Sequence, residues 1–231
     1  MAIYLGDDIH PQEGVMMTTQ ESIKAADPVS SSVPTTVAQP SGRVANPAPL
    51  GLAGFGLTTV VLSCINAGLL PDGATPVVVP LAFAYGGLAQ IIAGILEYRE
   101  GNTFGTVAFI SYGTFWWWYA FLLWSIGAGW IKPPHPSGIG LTLLMWGVFT
   151  FYMWIVTFRI NKTLWLIFLT LWIAFFLLAC GDLGLGANWR RAGGWDGIFC
   201  GALALYLSFA QVTNAVVSRT AIPIGGPVIK D

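Results

Sequence analysis

From Asn46 onward, long apolar stretches alternate with short polar loops. Six stretches stand out, at 50–70, 76–96, 105–127, 138–158, 164–180 and 194–217. At ~1.5 Å of rise per residue, about 20 residues cross the ~30 Å hydrocarbon core of a bilayer. Five of the six reach that length, and 164–180 sits near its lower limit. The pattern predicts an all-α fold: a polytopic membrane protein with six transmembrane helices. Stretches this apolar have no polar face, so periodicity does not separate buried from lipid-facing sides. Pro47 and Pro49 open the first helix, where proline is well tolerated. Gly51, Gly54, Gly56, Gly86, Gly87 and Gly94 are small residues that let membrane helices approach closely.

Residues 1–45 break the pattern. They hold Asp7, Asp8, Glu13, Glu21, Lys24 and Asp27, then a Ser/Thr/Pro/Val run at 28–40. Little there can form a core, so this segment reads as a disordered cytoplasmic tail. No basic n-region followed by an apolar h-region marks it as a secretory signal. The transmembrane domain then covers 46–218, and 219–231 form a cytoplasmic C-terminal tail.

Composition narrows the class. Of 231 residues, 55% are hydrophobic and 9% charged, with a mean hydropathy of +0.68. Soluble domains carry roughly 25% charged residues, so the lipid bilayer is the expected surrounding. A net charge of −1 without a basic run excludes a nucleic-acid binder. Cys64, Cys180 and Cys200 lie far apart in apolar stretches and read as small buried hydrophobes. No metal signature and no cofactor-binding loop occurs.

Charge sets the orientation. With an even number of spans, both termini share one side. Placing them inside puts Lys24, Arg43, Arg99, Arg159, Lys162, Arg219 and Lys230 in the cytoplasm, and Lys132, Arg190 and Arg191 outside. The positive-inside rule favours this arrangement, with both termini cytoplasmic.

Within these boundaries no Asp, Glu, Lys, Arg or His stands in the middle of a stretch; Glu97 ends the second at its cytoplasmic side. A chain of buried ionisable residues, the mark of a pump or voltage sensor, is missing. His10 and His135 fall in the tail and a loop, so Ser/His/Asp catalysis has no basis, and the chain reads as no enzyme. What the stretches offer is neutral and polar. Thr58, Thr59, Asn66, Gln90, Gln211 and Asn214 either make interhelical hydrogen bonds or line a narrow path for a small solute. Trp116, Trp117 and Trp118 cannot share one helix face, so lipid contact is their expected environment.

Asn46-Pro47-Ala48-Pro49-Leu50-Gly51-Leu52 reads NPAPLGL. Further blocks follow in order: Ala84-Tyr85-Gly86-Gly87, Ala89-Gln90, Leu96-Glu97-Tyr98, Gly101-Asn102-Thr103-Phe104-Gly105, Ser111-Tyr112-Gly113, Trp146 to Thr150, and Arg219 to Gly225. Over about residues 45–226 this resembles the acetate uptake transporter family, with its bacterial succinate–acetate permeases and fungal acetate and ammonia-export proteins. The resemblance implies a six-helix protomer in a homo-hexamer, with a pore through each protomer. It implies membrane transport of acetate and related short carboxylates, with succinate among them, coupled to protons. It also implies a constriction of Phe55, Tyr112 and Leu171. These lie five, seven and seven residues from the starts of stretches one, three and five, or roughly 7–11 Å deep. The expected location is the plasma membrane, the inner membrane in a bacterium.

A carboxyl group of pKa about 4–4.5 is mostly ionised at neutral pH, and isolated charge is expensive in hydrocarbon. Without an intramembrane Arg or Lys, the pore either compensates the anion with dipoles or carries the neutral acid. The NPAPLGL helix start offers free N–H groups and a positive dipole end; Asn46 either caps it or donates to the solute. Departures from the bacterial pattern are Gln211, where an acidic residue is expected, Ile65 in place of a polar residue, and the longer tail. Two rival functions remain at this point. One is a passive channel for a small neutral solute such as urea, an amide or ammonia. The other is a membrane sensor that uses residues 1–45 for signalling, and deleting that segment separates it from a transporter.

Overall fold

A computed structural model of the chain describes residues 45–230. The expected tail therefore lies outside the described residues, Ala45 excepted. Helix α1 is Ala48–Asn66. Asn46, one residue before the Pro47 N-cap, accepts the Ala48 N–H at its Oδ1 at 3.0 Å and so satisfies the first free N–H of the helix. The second apolar stretch is not one smooth helix. A 3₁₀ turn at Asp72–Val77 leads into α2, Val78–Leu81, then a π-wound stretch at Ala82–Ala89, then α3, Gln90–Arg99. Pro76 lacks an N–H and is housed in the 3₁₀ turn. Helix α4 is Thr103–Gly127, α5 Pro136–Thr157, and α6 Lys162–Cys180 with a π turn at Gly181–Leu185. Helix α7 is Ala187–Val216.

Helix α7 begins seven residues before the apolar stretch 194–217. Its first turns carry Arg190 and Arg191, which end a hydropathy pattern without ending a helix. Hydropathy reports lipid thickness, whereas backbone hydrogen bonds continue past it. Among the described residues, five segments are long and apolar enough to cross a membrane: Ala48–Asn66, Asp72–Arg99, Pro136–Thr157, Lys162–Leu185 and Ala187–Val216. Helix α4 has 25 residues, but its Trp and Tyr content lowers its mean hydropathy. Such rings are amphipathic, with an apolar body and one polar atom.

Close backbone approach holds α1 to α7. A Cβ on Gly56 would stand 2.8 Å from the Gly201 oxygen, and one on Gly201 would stand 2.9 Å from the Gly56 oxygen. Ser208 Oγ donates to the Pro49 oxygen at 2.7 Å, tying α7 to the start of α1. On its other side α1 meets the π-wound stretch, where a Cβ on Gly54 would lie 2.6 Å from the Tyr85 oxygen.

The expectation of lipid contact for the tryptophan run fails at Trp116, while Trp117 and Trp118 are half-buried. Trp116 is buried at 3% exposure, and Trp117 Nε1 donates to the Phe83 oxygen at 3.0 Å. Trp118 lines an internal cavity. Helix α4 is surrounded by protein on several sides, so three successive rings all find partners.

Residues 219–230 turn back along the ends of α5, α6 and α7. Asn214 Oδ1 accepts the Ala221 and Ile222 N–H groups at 2.8 Å each, and Tyr206 donates to the Pro223 oxygen at 2.6 Å. The first N–H groups of a helix have no partner within it. In α6 they find them outside: Lys162 N–H donates to Gly226 O, Thr163 N–H to Ile224 O, and Leu164 N–H to Asn161 Oδ1. Gly225 has φ +73°, and a Cβ there would press on Lys162 at 2.8 Å. The final sequence block is thus a cap for α6.

Candidate functional site

Two cavities lie inside the helix bundle. One, of about 140 Å³, opens among Ala48, Glu97, Asn102 and Asn161, at the end where α1 starts and α7 finishes. We call this the terminal side. The other, of about 350 Å³, runs towards Pro136, Asp182 and Arg190 at the opposite end. Their linings have three residues in common: Phe55 from α1, Tyr112 from α4 and Leu171 from α6. All three are buried, at 6%, 3% and 6% exposure.

Phe55 and Tyr112 stand 5.9 Å apart between ring centroids, tilted by 52°. Tyr112 is boxed further by Phe149, Trp146 and Phe168, at 5.5, 6.0 and 6.0 Å. Its hydroxyl is not idle: it donates to Thr150 Oγ1 at 2.9 Å. Thr150 in turn donates to the Trp146 oxygen at 2.7 Å. This chain crosses from α4 to α5 and fixes the angle of the phenol. The Tyr112 proton is used in that bond, leaving the ring of three with one acceptor lone pair and no free donor.

The other polar candidates divide. Gln90, Gln211, Thr59 and Asn66 line cavities, the first two on the terminal side. Asn66 Oδ1 accepts from Arg190 Nε at 3.3 Å at the mouth of the larger cavity. Thr58 lies outside both linings, with its hydroxyl donating to the Gly54 oxygen at 2.8 Å. Asn214 likewise lies outside both and holds the C-terminal segment. Of the NPAPLGL string, Ala48 and Leu52 line the smaller cavity, while Asn46, Pro47, Pro49, Leu50 and Gly51 shape and pack the helix start.

One residue gains importance from the structure. Glu97 stands at the cytoplasmic end of the second apolar stretch, where the sequence alone gives it no role. In the fold it is 2% exposed, part of α3, and lines the smaller cavity. Asn102 Nδ2 donates to its Oε2 at 2.6 Å, and Asn102 Oδ1 accepts the Gly105 N–H at 3.1 Å. Two sequence blocks, around Glu97 and around Asn102, therefore form one unit. Glu97 Oε1, Gln90 Oε1 and Gln211 Oε1 are all buried without a hydrogen-bond partner. Three buried acceptors without a partner thus belong to residues that line one cavity.

Comparison with known proteins agrees with this architecture. The profile of the GPR1/FUN34/yaaH family matches residues 30–225. The succinate-acetate/proton symporter SatP of Escherichia coli strain K12 is 42% identical over 184 residues, covering 79% of this chain and 96% of that protein. Acetate permease A of Emericella nidulans is 37% identical over 197 residues, covering 79% and 66%. The solved structure of the bacterial acetate channel SatP matches with a TM-score of 0.76 at 42% identity, covering 79% of this chain and 100% of that one. A helical membrane-spanning fold, a shared profile and these relatives lead to one conclusion: the chain belongs to the GPR1/FUN34/yaaH family.

Proposed function

We propose that this protein is a multi-pass plasma-membrane transporter that carries acetate and related short carboxylates, succinate among them, together with a proton. The observation that carries this reading is the pair of cavities whose linings share Phe55, Tyr112 and Leu171, in a chain 42% identical to a succinate-acetate/proton symporter. Helix α4 serves as the sixth span, both termini face the cytoplasm, and protomers assemble as a homo-hexamer. The chain acts in transport and not as an enzyme. Phe55, Tyr112 and Leu171 act as the constriction, and the NPAPLGL helix start lies at the inner entry.

Physical chemistry favours the neutral acid at the constriction. A bare carboxylate there meets two ring faces and a Leu, with the Tyr112 proton already engaged by Thr150. An uncompensated ion in such surroundings carries a penalty of several kcal/mol, on the order given by burial of single charges. The undissociated acid avoids it and brings its proton along. The smaller cavity has room for several waters or one small acid.

Labelled acetate uptake into proteoliposomes, with and without an inward proton gradient, tests the proposal. Accumulation that follows the gradient and collapses with a protonophore supports it. Uptake that only equilibrates replaces it with a passive channel, the reading favoured by the uncharged constriction and by the channel named for the solved relative. No uptake of acetate, with urea or ammonia passing instead, moves the function to a neutral-solute channel.

The hydrogen bond at Tyr112 gives a finer prediction. Tyr112→Phe removes the donor, while Thr150 keeps its bond to the Trp146 oxygen. Apparent acetate affinity is expected to fall by about 0.5–1.5 kcal/mol. Thr150→Val removes the acceptor and leaves the phenol free to donate. If fixed placement of the phenol matters, both variants weaken uptake. If only a hydroxyl facing the solute matters, Thr150→Val strengthens it. The concentration dependence of uptake separates the two.

A further inference from the structure

We propose that Glu97 makes entry of the carboxylate proton-dependent, by sharing one proton with the transported carboxyl group in the terminal-side cavity. This rests on the transport reading above and deepens it. Glu97 is 2% exposed and lines the cavity, its Oε2 is held by Asn102 Nδ2, and its Oε1 is buried without a partner. Gly105 gives the carboxyl group its space: a Cβ there would lie 2.8 Å from both Glu97 Cδ and Oε2. One carboxylate oxygen is anchored, and the other is left for a guest.

The elements packed on α3 bring few ionisable groups. Helix α4 contributes Tyr112 and Tyr119, α1 contributes Cys64, and the π-wound stretch contributes Tyr85. None of the three carries a Lys, Arg or His. On α3 and its end, Tyr98, Arg99 and Glu100 are exposed. An ionised Glu97 therefore repels a second carboxylate at close range, because two like charges in one poorly solvated site cannot both ionise. A carboxylic acid, in contrast, donates its O–H to Oε1. The loaded pair then carries one negative charge, the same as Glu97 alone, so loading adds no net charge to the site. Gln90 and Gln211 complete the cradle, since a carboxamide donates to one oxygen of the guest or accepts from its hydroxyl.

The proton balance is simple. An acid arriving through the constriction keeps its O–H and hydrogen-bonds to Glu97 Oε1. Its O–H bond breaks as the proton passes to Oε1, and acetate leaves towards the terminal side. The Oε1–H bond then breaks in favour of water at the cavity mouth, and Glu97 is ionised again. Inverse transport runs the same steps backwards.

Glu97→Gln tests this directly. The amide oxygen still accepts from Asn102, so the local structure is kept, but the residue carries no charge and its NH₂ welcomes a bare anion. In proteoliposomes at zero membrane potential, the wild-type chain is expected to concentrate acetate about tenfold per pH unit, the factor for one proton per acid. An inside-positive potential imposed at equal pH should not drive its uptake. Glu97→Gln is expected to concentrate acetate less per pH unit and to gain potential-driven uptake, because the amide holds the bare anion although the constriction still slows it. Gly105→Ala, which displaces the carboxyl group, shifts both readouts the same way and serves if Glu97→Gln does not fold. Accumulation in Glu97→Gln equal to wild type, with no response to the potential, overturns the role of Glu97 while leaving the transporter intact. A folded Glu97→Gln protein that moves no acetate overturns it too, because an amide should accept the anion. Wild-type chain that fails to accumulate acetate overturns the symport itself, and this role with it.

Discussion

Phe55→Ala is expected to open the path to acids that the wild-type chain rejects. Phe55 is one of three residues common to both cavity linings, and its ring stands 5.9 Å from that of Tyr112. Truncation removes one wall of the junction and merges a space of about 140 Å³ with one of about 350 Å³. One methylene in an apolar pocket changes selectivity by about 10–200-fold, so losing a whole ring should erase discrimination between acetate and branched acids such as isobutyrate. Competition of unlabelled acids against labelled acetate measures this. A profile of competing acids identical to wild type would remove Phe55 from the constriction. Some stability is lost as well, but less than the ~3–5 kcal/mol typical of a sealed core, because the ring already borders two cavities that water can enter.

Gly194→Val should have the largest effect on the fold. A Cβ at Gly194 would stand 2.6 Å from the Asn66 carbonyl carbon and 2.7 Å from the Ala67 Cα. These are backbone atoms at the end of α1, and no side-chain rotation can make room. Overpacking of this kind costs about 1–3 kcal/mol or more, a fall in melting temperature on the order of 10 °C. Gly127→Ala is the control: no atom lies within 4 Å of a Cβ there, and alanine favours the helix by up to ~1 kcal/mol. Thermal unfolding in detergent reads both. A Gly194→Val protein that melts with the wild type would mean that α1 and α7 do not pack as described.

Sequence reveals the helical segments because lipid demands long apolar runs. It blurs their ends, as α7 shows, because Arg190 and Arg191 stop a hydropathy pattern and not a helix. It misses the π-wound stretch before Gln90, since winding depends on how Gly86 and Gly87 meet Trp116 and Trp117, which are distant in sequence. The constriction residues come from resemblance, because an aromatic or Leu in an apolar run has no signature of its own. Glu97 is the instructive omission. A carboxylate at the edge of a stretch looks solvated, and only tertiary packing shows that Asn102 and Gly105 enclose it. Thr58 and Asn214 err in the other direction, for a hydroxyl or amide in a membrane helix is as readily turned to a backbone oxygen or a neighbouring segment as to a pore.

The segment that caps α6 has a consequence for biosynthesis. Ile224 and Gly226 supply the acceptors for Thr163 and Lys162, and Asn161 of the same loop lines the smaller cavity. These partners are made only after all of the helices they join. During synthesis the first turn of α6 must therefore wait with open N–H groups while α7 is still being threaded into the bilayer. At about 5–20 residues per second, that interval lasts several seconds. Newly made chains therefore pass through a stage with every helix in place and this mouth unfinished.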